Sequence, residues 1–331
     1  MTDCGSFSGL VAIEVQELVK TYRGGVRALQ GVSFRVEAGS VFALLGPNGA
    51  GKSTTVKILT TLSRPDSGVA RVAGIDVLRD PFRVRRIIGC VAQKPTTDLE
   101  ATGKESLTLQ GQLYGLRGSL LRERVSELLE RFGLTEAANR QTRGYSGGMQ
   151  RKLDVAMGLI NRPQVLFLDE PTTGLDPETR VDMWDEITRL SQEEGLTILL
   201  TTHYLEEADR LAGCVAIVDR GRVVVQGAPE ELKAELRGDA VHVEMAAAMG
   251  QERVRQALRG LDDSLRDVSV DGRALHARAD SGAEAVPALL AALDAGGIAV
   301  ASVTVARASL DDVYLRYTGR AFKDADQEES R

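Results

Sequence analysis

Cysteine is scarce in this chain: Cys4, Cys90 and Cys214 are three among 331 residues, and their spacing matches no metal-ligand pattern. That excludes a disulfide-stapled scaffold and fits a reducing cytosol. Basic charge is in deficit too. With 41 lysines and arginines against 47 aspartates and glutamates, the formal net charge is −6. A general nucleic-acid binder is usually basic, so no nucleic-acid partner is expected. The first residues lack a positive segment followed by an apolar core, and no export signal is expected. An uninterrupted membrane span is missing as well. The nearest candidate, Ala285 to Ala306, has about the length needed to cross a bilayer. Pro287, Asp294 and Gly296-Gly297 break it, so helix, glycine turn and strand describe it better.

What is present reads as an ordinary globular protein, 43% hydrophobic and 27% charged. The length points to one large domain plus a smaller one. The organising stretch is Gly46-Pro47-Asn48-Gly49-Ala50-Gly51-Lys52-Ser53-Thr54, a phosphate-binding loop pattern. Val41 to Leu45 before it reads as a buried strand, and Thr54 to Leu62 after it as a helix, which is the context the pattern requires. Glycines let successive N–H groups face one anion, and the helix start adds its positive end. Lys52 is expected to reach the β- and γ-phosphates, and the Ser53 hydroxyl to take one Mg²⁺ position. The chain is therefore expected to bind a nucleoside triphosphate.

Further residues gather meaning around that loop. Strands are expected at Val11–Val15 and Val32–Val36, with Tyr22 in the connection between them. Its ring would either stack on a base or pack the loop against the sheet. Val69–Ala73 and Ile87–Ala92 read as strands, the second running into Gln93, whose amide oxygen would help hold Mg²⁺ or the attacking water. Residues 98 to 160 look helical, with Leu107, Leu109, Leu113 and Leu116 as one apolar set and Val125, Leu128, Leu129 and Phe132 as another. Within this stretch Ser146-Gly147-Gly148 places an N-cap and exposed N–H groups at a helix start, a second anion-binding end. Val165–Leu168 reads as a strand buried on both faces that ends in Asp169-Glu170. Asp169 would hold Mg²⁺ through its water shell, and Glu170 would accept a proton from the attacking water. Gly174-Leu175-Asp176-Pro177 opens a helix. A last buried strand, Leu196–Thr202, ends at His203, which would contact the γ-phosphate or orient the water.

In this order and approximate spacing, these residues resemble an ABC transporter ATP-binding subunit over about residues 10 to 237. The serine-glycine-glycine signature separates that family from kinases and GTPases. The resemblance implies an α/β fold: a P-loop NTPase core with an antiparallel β subdomain and a helical subdomain. It implies ATP and Mg²⁺ as ligands, with Asp176 in its loop joining the nucleotide-binding residues. It also implies a head-to-tail dimer, each ATP lying between Lys52 of one copy and Ser146 to Gly148 of the other. The second cassette would be a copy of this chain or a related one. The surface after Gln93 would touch a membrane-spanning permease, placing the protein peripherally on the cytoplasmic face of the membrane.

A hairpin is expected at Val215–Asp219 and Arg222–Val225, then a closing helix from Pro229. Beyond Gly238 the pattern restarts as strand, helix, two strands, helix, strand. That order suggests a ferredoxin-like βαββαβ accessory domain over 240–308, with no His/Cys cluster marking a second catalytic site. Residues 1–9 are expected to be loose and 309–331 to form a tail, charged and disordered from 321. The tail Ser309-Leu310-Asp311-Asp312-Val313-Tyr314-Leu315 and the segment Thr201 to Ala208 resemble daunorubicin/doxorubicin-resistance-type ATP-binding subunits. Such subunits energise export of drugs, antibiotics or lipids through a separate permease. The alternatives are a soluble ABC ATPase acting on ribosomes or DNA, or a drug-binding self-protection protein. The first usually carries two cassettes, coiled-coil or zinc insertions, which this sequence lacks.

Overall fold

The computed structural model describes residues 10–94, 96–236, 238–261 and 264–322. The loose start expected at 1–9 and the charged end beyond 322 lie outside them. The chain divides into two compact units, 1–228 and 229–331.

In chain order, the first unit contains β1 (Val11–Thr21), β2 (Arg27–Glu37), β3 (Val41–Leu45), α1 (Lys52–Leu59), β4 (Ser67–Val72), β5 (Ile75–Asp76), α2 (Pro81–Ile87) and β6 (Ile88–Val91). There follow α3 (Gly103–Leu113), α4 (Gly118–Arg131), α5 (Gly147–Gly158), β7 (Val165–Asp169), α6 (Pro177–Gln192), β8 (Thr197–Thr202), α7 (Leu205–Leu211), β9 (Cys214–Asp219) and β10 (Arg222–Gly227). The central sheet has the order β10-β9-β3-β8-β7-β6. All its pairings are parallel except the β9–β10 hairpin. β3, β7 and β8 are almost wholly buried runs of Val, Leu, Ile, Phe, Ala and Thr, as strands covered on both faces must be. A second, antiparallel sheet, β2-β1-β4-β5, shares a core with the phosphate-loop helix through Ile13, Leu29, Phe34, Val56 and Leu59.

Several elements differ from the expectation. β1 continues to Thr21 across an irregularity at Glu17, whose φ is 48°. α2 appears where no helix was expected, with Asp80 as a cap and Pro81 at its start. Residues 98–160 are helical as expected, with three α-helices, α3 to α5. Leu109 and Leu113 are not core: they are 59% and 74% exposed, whereas Leu107 is buried. Cys90 is a free thiol.

The second unit contains α8 (Pro229–Glu235), β11 (Asp239–Met245), α9 (Gln251–Ala257), β12 (Arg266–Asp271), β13 (Ala274–Ala279), α10 (Gly282–Ala295), β14 (Val300–Ala306) and α11 (Leu310–Thr318). Its sheet runs β12-β13-β11-β14, antiparallel throughout, which suits a ferredoxin-like βαββαβ chain. α10, the Gly296–Gly297 turn and β14 occupy the apolar span 285–306, and among the described residues no helix is long and apolar enough to cross a membrane. α8 was expected to close the first domain but groups with the second unit, where Tyr317 donates its hydroxyl to Glu235 at 3.1 Å. The tail begins as a helix. α11 opens with a Ser309–Asp312 capping box, and Tyr314 is fully buried edge-on to Phe322. Tyr314→Ala is expected to destabilise this unit by about 3 kcal/mol or more, read as a lower denaturant midpoint for its unfolding.

Register also creates a histidine pair that sequence spacing hides. His242 and His276 face each other across β11 and β13 with their Nδ1 atoms 2.8 Å apart. Burial and the neighbouring His242 hold His276 below the ordinary histidine range. No group of three or more His, Cys, Asp or Glu among the described residues is placed to hold a metal ion.

Candidate active site

The parallel strands deliver the site residues to one edge. The phosphate loop leaves β3, Asp169-Glu170 leave β7, Thr202-His203 leave β8 and Gln93 follows β6. Register aligns Leu45 with Thr202, and Asp169 with Thr201. The C-terminal ends of β3, β8, β7 and β6 therefore converge, the place where open α/β sheets bind ligands.

The loop is fixed by close packing. A Cβ at Gly46 would lie 2.2 Å from the Val218 carbonyl oxygen, and one at Gly51 2.5 Å from that of Ala28. Gly51 also has φ 106° and caps α1, so the helix begins at Lys52, two residues earlier than expected. Lys52 is buried and donates to the carbonyl oxygens of Gly46 and Pro47 at 2.6 and 2.9 Å. Ser53 donates its hydroxyl to Asp169 Oδ1 at 3.1 Å, and Thr201 donates to the same oxygen at 2.5 Å. Asn48, Gly49, Gly51, Lys52, Ser53, Thr54, Gln93 and Glu170 line one cavity of about 150 Å³.

Glu170 is the most constrained of these residues. Its φ is 48°, and its N–H donates to Thr201. One carboxylate oxygen accepts from Gln93 Nε2 at 2.8 Å and from the Thr173 hydroxyl at 3.2 Å. The other lies 3.3 Å from His203 Nδ1 and 4.0 Å from Lys52 Nζ. Burial pushes this carboxyl up, but contact with His203, the Lys52 charge and the Thr173 hydroxyl outweigh it. The net result is a pKa below the ordinary 4.5. A depressed pKa keeps the group ionised until pH falls through the lowered value. The Glu170-dependent acid limb of ATP turnover is therefore expected below pH 4.5, and His203→Ala should move it upward in a pH–rate profile.

The remaining residues stand apart. Tyr22 lies beside the loop, its hydroxyl 3.5 Å from Thr54 Oγ1. Ser146, Gly147, Gly148 and Asp176 do not line the cavity. Ser146 caps α5 by accepting from the Met149 N–H at 3.2 Å. Asp176 caps α6, accepting from the N–H and hydroxyl of Thr179. Gly148 abuts that same threonine, since a Cβ would fall 2.5 Å from Thr179 Cγ2. The signature turn and the Asp176 loop are thus joined.

Arg151 escaped the sequence reading. It is buried and donates to the carbonyl oxygens of Ala92 (2.6 Å), Pro171 (2.7 Å), Asp169 and Glu170 (3.1 Å each). One side chain thereby ties the signature helix to the segments bearing Gln93 and Glu170. It lies in the second turn of α5, where the sequence gave no signal beyond its nearness to Ser146. Arg151→Met strands these acceptors and is expected to cost on the order of 3 kcal/mol, measurable by urea unfolding.

The comparisons agree with this geometry. Residues 29–173 match the ABC transporter family model, and 227–318 match that of the ATP-binding protein DrrA1-3-like, C-terminal domain. Daunorubicin/doxorubicin resistance ATP-binding protein DrrA of Streptomyces peucetius is 43% identical, with 96% of each chain covered. The chain belongs to the ABC transporter ATP-binding proteins of the DrrA-like type. Daunorubicin resistance ATP-binding protein DrrA3 of Streptomyces coeruleorubidus is 46% identical over 93% of this chain and 96% of that one. Among solved structures, a dimeric ATP-binding cassette in a post-hydrolysis state with ADP and Pi has a TM-score of 0.61 at 26% identity, covering 65% of this chain and 98% of that chain. This ABC cassette is an ATP hydrolase coupled to transport.

Proposed function

We propose that the chain is the motor subunit of a drug, antibiotic or lipid exporter, firing as a head-to-tail dimer bound to a separate permease. The observation that carries it is the convergence of Lys52, Ser53, Asp169, Glu170, Gln93 and His203 at the ends of four adjacent strands. The loop N–H groups and Lys52 grip the triphosphate, and Tyr22 stacks on adenine. Ser53, Asp169 and the Gln93 amide oxygen form a hard-oxygen donor set suited to Mg²⁺, which keeps few protein ligands and completes its shell with water and phosphate. When bound, the ion neutralises phosphate charge. Glu170 takes the proton of the attacking water, with His203 and Gln93 fixing its carboxylate. Ser146 to Gly148 and Asp176, outside the cavity of their own chain, close the site of the opposite copy.

The permease contact falls to the helical region after Gln93. Leu99, Leu109, Leu113 and Leu120 are all more than half exposed there, a concentration of apolar surface that marks an interaction site. Co-expression with a membrane-spanning permease tests the proposal. Co-purification, with ATP turnover raised by the exported compound, is expected. Direct drug binding by the chain alone, with no permease requirement, would favour the self-protection reading instead.

A further inference from the structure

A second surface of the first unit has a chemistry that nucleotide binding does not use. Although the whole chain carries −6, residues 57–87 hold seven basic and three acidic side chains. Lys57, Arg64, Arg79, Arg83, Arg85 and Arg86 are all exposed. The three aspartates of the segment offset only part of this charge, and the Asp76 and Asp80 carboxylates accept from backbone N–H groups. Asp76 accepts from Leu78 and Arg79, and Asp80 from Arg83. Asp66 is paired with Lys20.

Apolar side chains stand among these cations. α2 attaches to the core through Val84 and Ile87, which turns Phe82, Arg83, Arg85 and Arg86 outward. Phe82 is 75% exposed, with the Arg85 guanidinium 4.6 Å over its ring. Arg85 also donates to the Thr61 hydroxyl at 2.8 Å, drawing α2 beside the end of α1. Next to Thr61, Leu62 is 74% exposed, and Leu78, just before α2, is 48% exposed. Packing does not call for these three; the fold is held by their neighbours.

We propose that this face is a contact site for an anionic lipid surface, with the arginines meeting headgroups and Phe82, Leu62 and Leu78 entering the interface. Clustered cations draw protein to acidic lipid, and exposed aromatic and leucine side chains bury at the headgroup boundary. The alternating basic and apolar character matches that layered environment. A protein partner would need acidic and apolar groups in the same interdigitated pattern. Because no described helix can span a bilayer, the contact is peripheral. It supplies the chain with membrane affinity of its own, independent of any permease and of the nucleotide chemistry.

The test is co-flotation of the purified full chain with vesicles of phosphatidylcholine alone, or containing about one third phosphatidylglycerol. Flotation is expected only with the anionic vesicles, and should fall as salt rises from ~0.1 to ~0.5 M. Each basic side chain at such a surface is worth roughly fivefold in partitioning. R83E/R86E should therefore lower binding by at least about 25-fold, while ATP turnover in solution stays unchanged and reports intact folding. F82S should lower it several-fold and preserve the salt dependence. Absence of flotation, equal flotation with both vesicles, or insensitivity to R83E/R86E overturns the proposal. So does loss of a co-purifying permease from R83E/R86E in detergent without any vesicle binding, which would assign the face to a protein partner.

Discussion

Replacing Glu170 by Gln is expected to leave ATP binding intact, to accumulate an ATP-bound dimer and to cut turnover by on the order of 10²–10⁴-fold. The substitution keeps shape and most hydrogen bonds. Thr173 can still donate to the amide oxygen, and the strained backbone at φ 48° is unchanged. What disappears is the acceptor for the water proton, together with the negative charge that faces His203 and Lys52. Binding depends on the phosphate loop and survives; hydrolysis does not. Size-exclusion chromatography with and without ATP, alongside phosphate release, reads both halves. Wild-type turnover in the variant would reject Glu170 as the base.

Lys52→Ala is expected to act one step earlier, on affinity itself. The Lys52 ammonium is buried, held by the Gly46 and Pro47 carbonyl oxygens and 4.0 Å from Glu170. It is thus pre-placed beside the loop, stabilised by local carbonyls until phosphate oxygens arrive. Truncation removes the charge-assisted bonds to the triphosphate, worth about 1.5–3 kcal/mol each. A loss of ATP affinity of roughly 10- to 100-fold follows. Fluorescent-nucleotide titration checks it, and normal affinity would count against the cradle. The two variants separate binding from chemistry: one should lose affinity, the other should trap it.

Much of this site was legible because its chemistry is local in sequence. The phosphate loop, Asp169-Glu170 and Ser146-Gly147-Gly148 are contiguous motifs next to strands and helices of obvious pattern. The parallel sheet then aligns the first two by register, at the ends of β3 and β7. What escaped was of another kind. An arginine on an amphipathic helix reads as a solvated side chain, and only the fold shows that Arg151 points at four carbonyl oxygens. Leu109 and Leu113 fell into one apolar set with Leu107 because periodicity marks any apolar face, whether covered by the same chain or by a partner. β1 stopped short in the reading since the irregularity at Glu17 breaks the alternation there. His242 and His276 are 34 residues apart and meet only through strand register. For α2 and α11, by contrast, the signals were present: Asp80-Pro81 and Ser309-x-x-Asp312 are helix starts. Their shortness hid them.

The central claim, a pocket completed by the opposite copy, is tested most directly with mixed protomers. One carries Asn48→Cys in the phosphate loop and the other Ser146→Cys in the signature turn, both in a background lacking the native cysteines. Upon addition of ATP and Mg²⁺ and mild oxidation, a disulfide should join the two different chains, and should be absent without nucleotide. Cross-linking that ignores nucleotide, or that forms only within a single chain carrying both substitutions, would contradict a shared site.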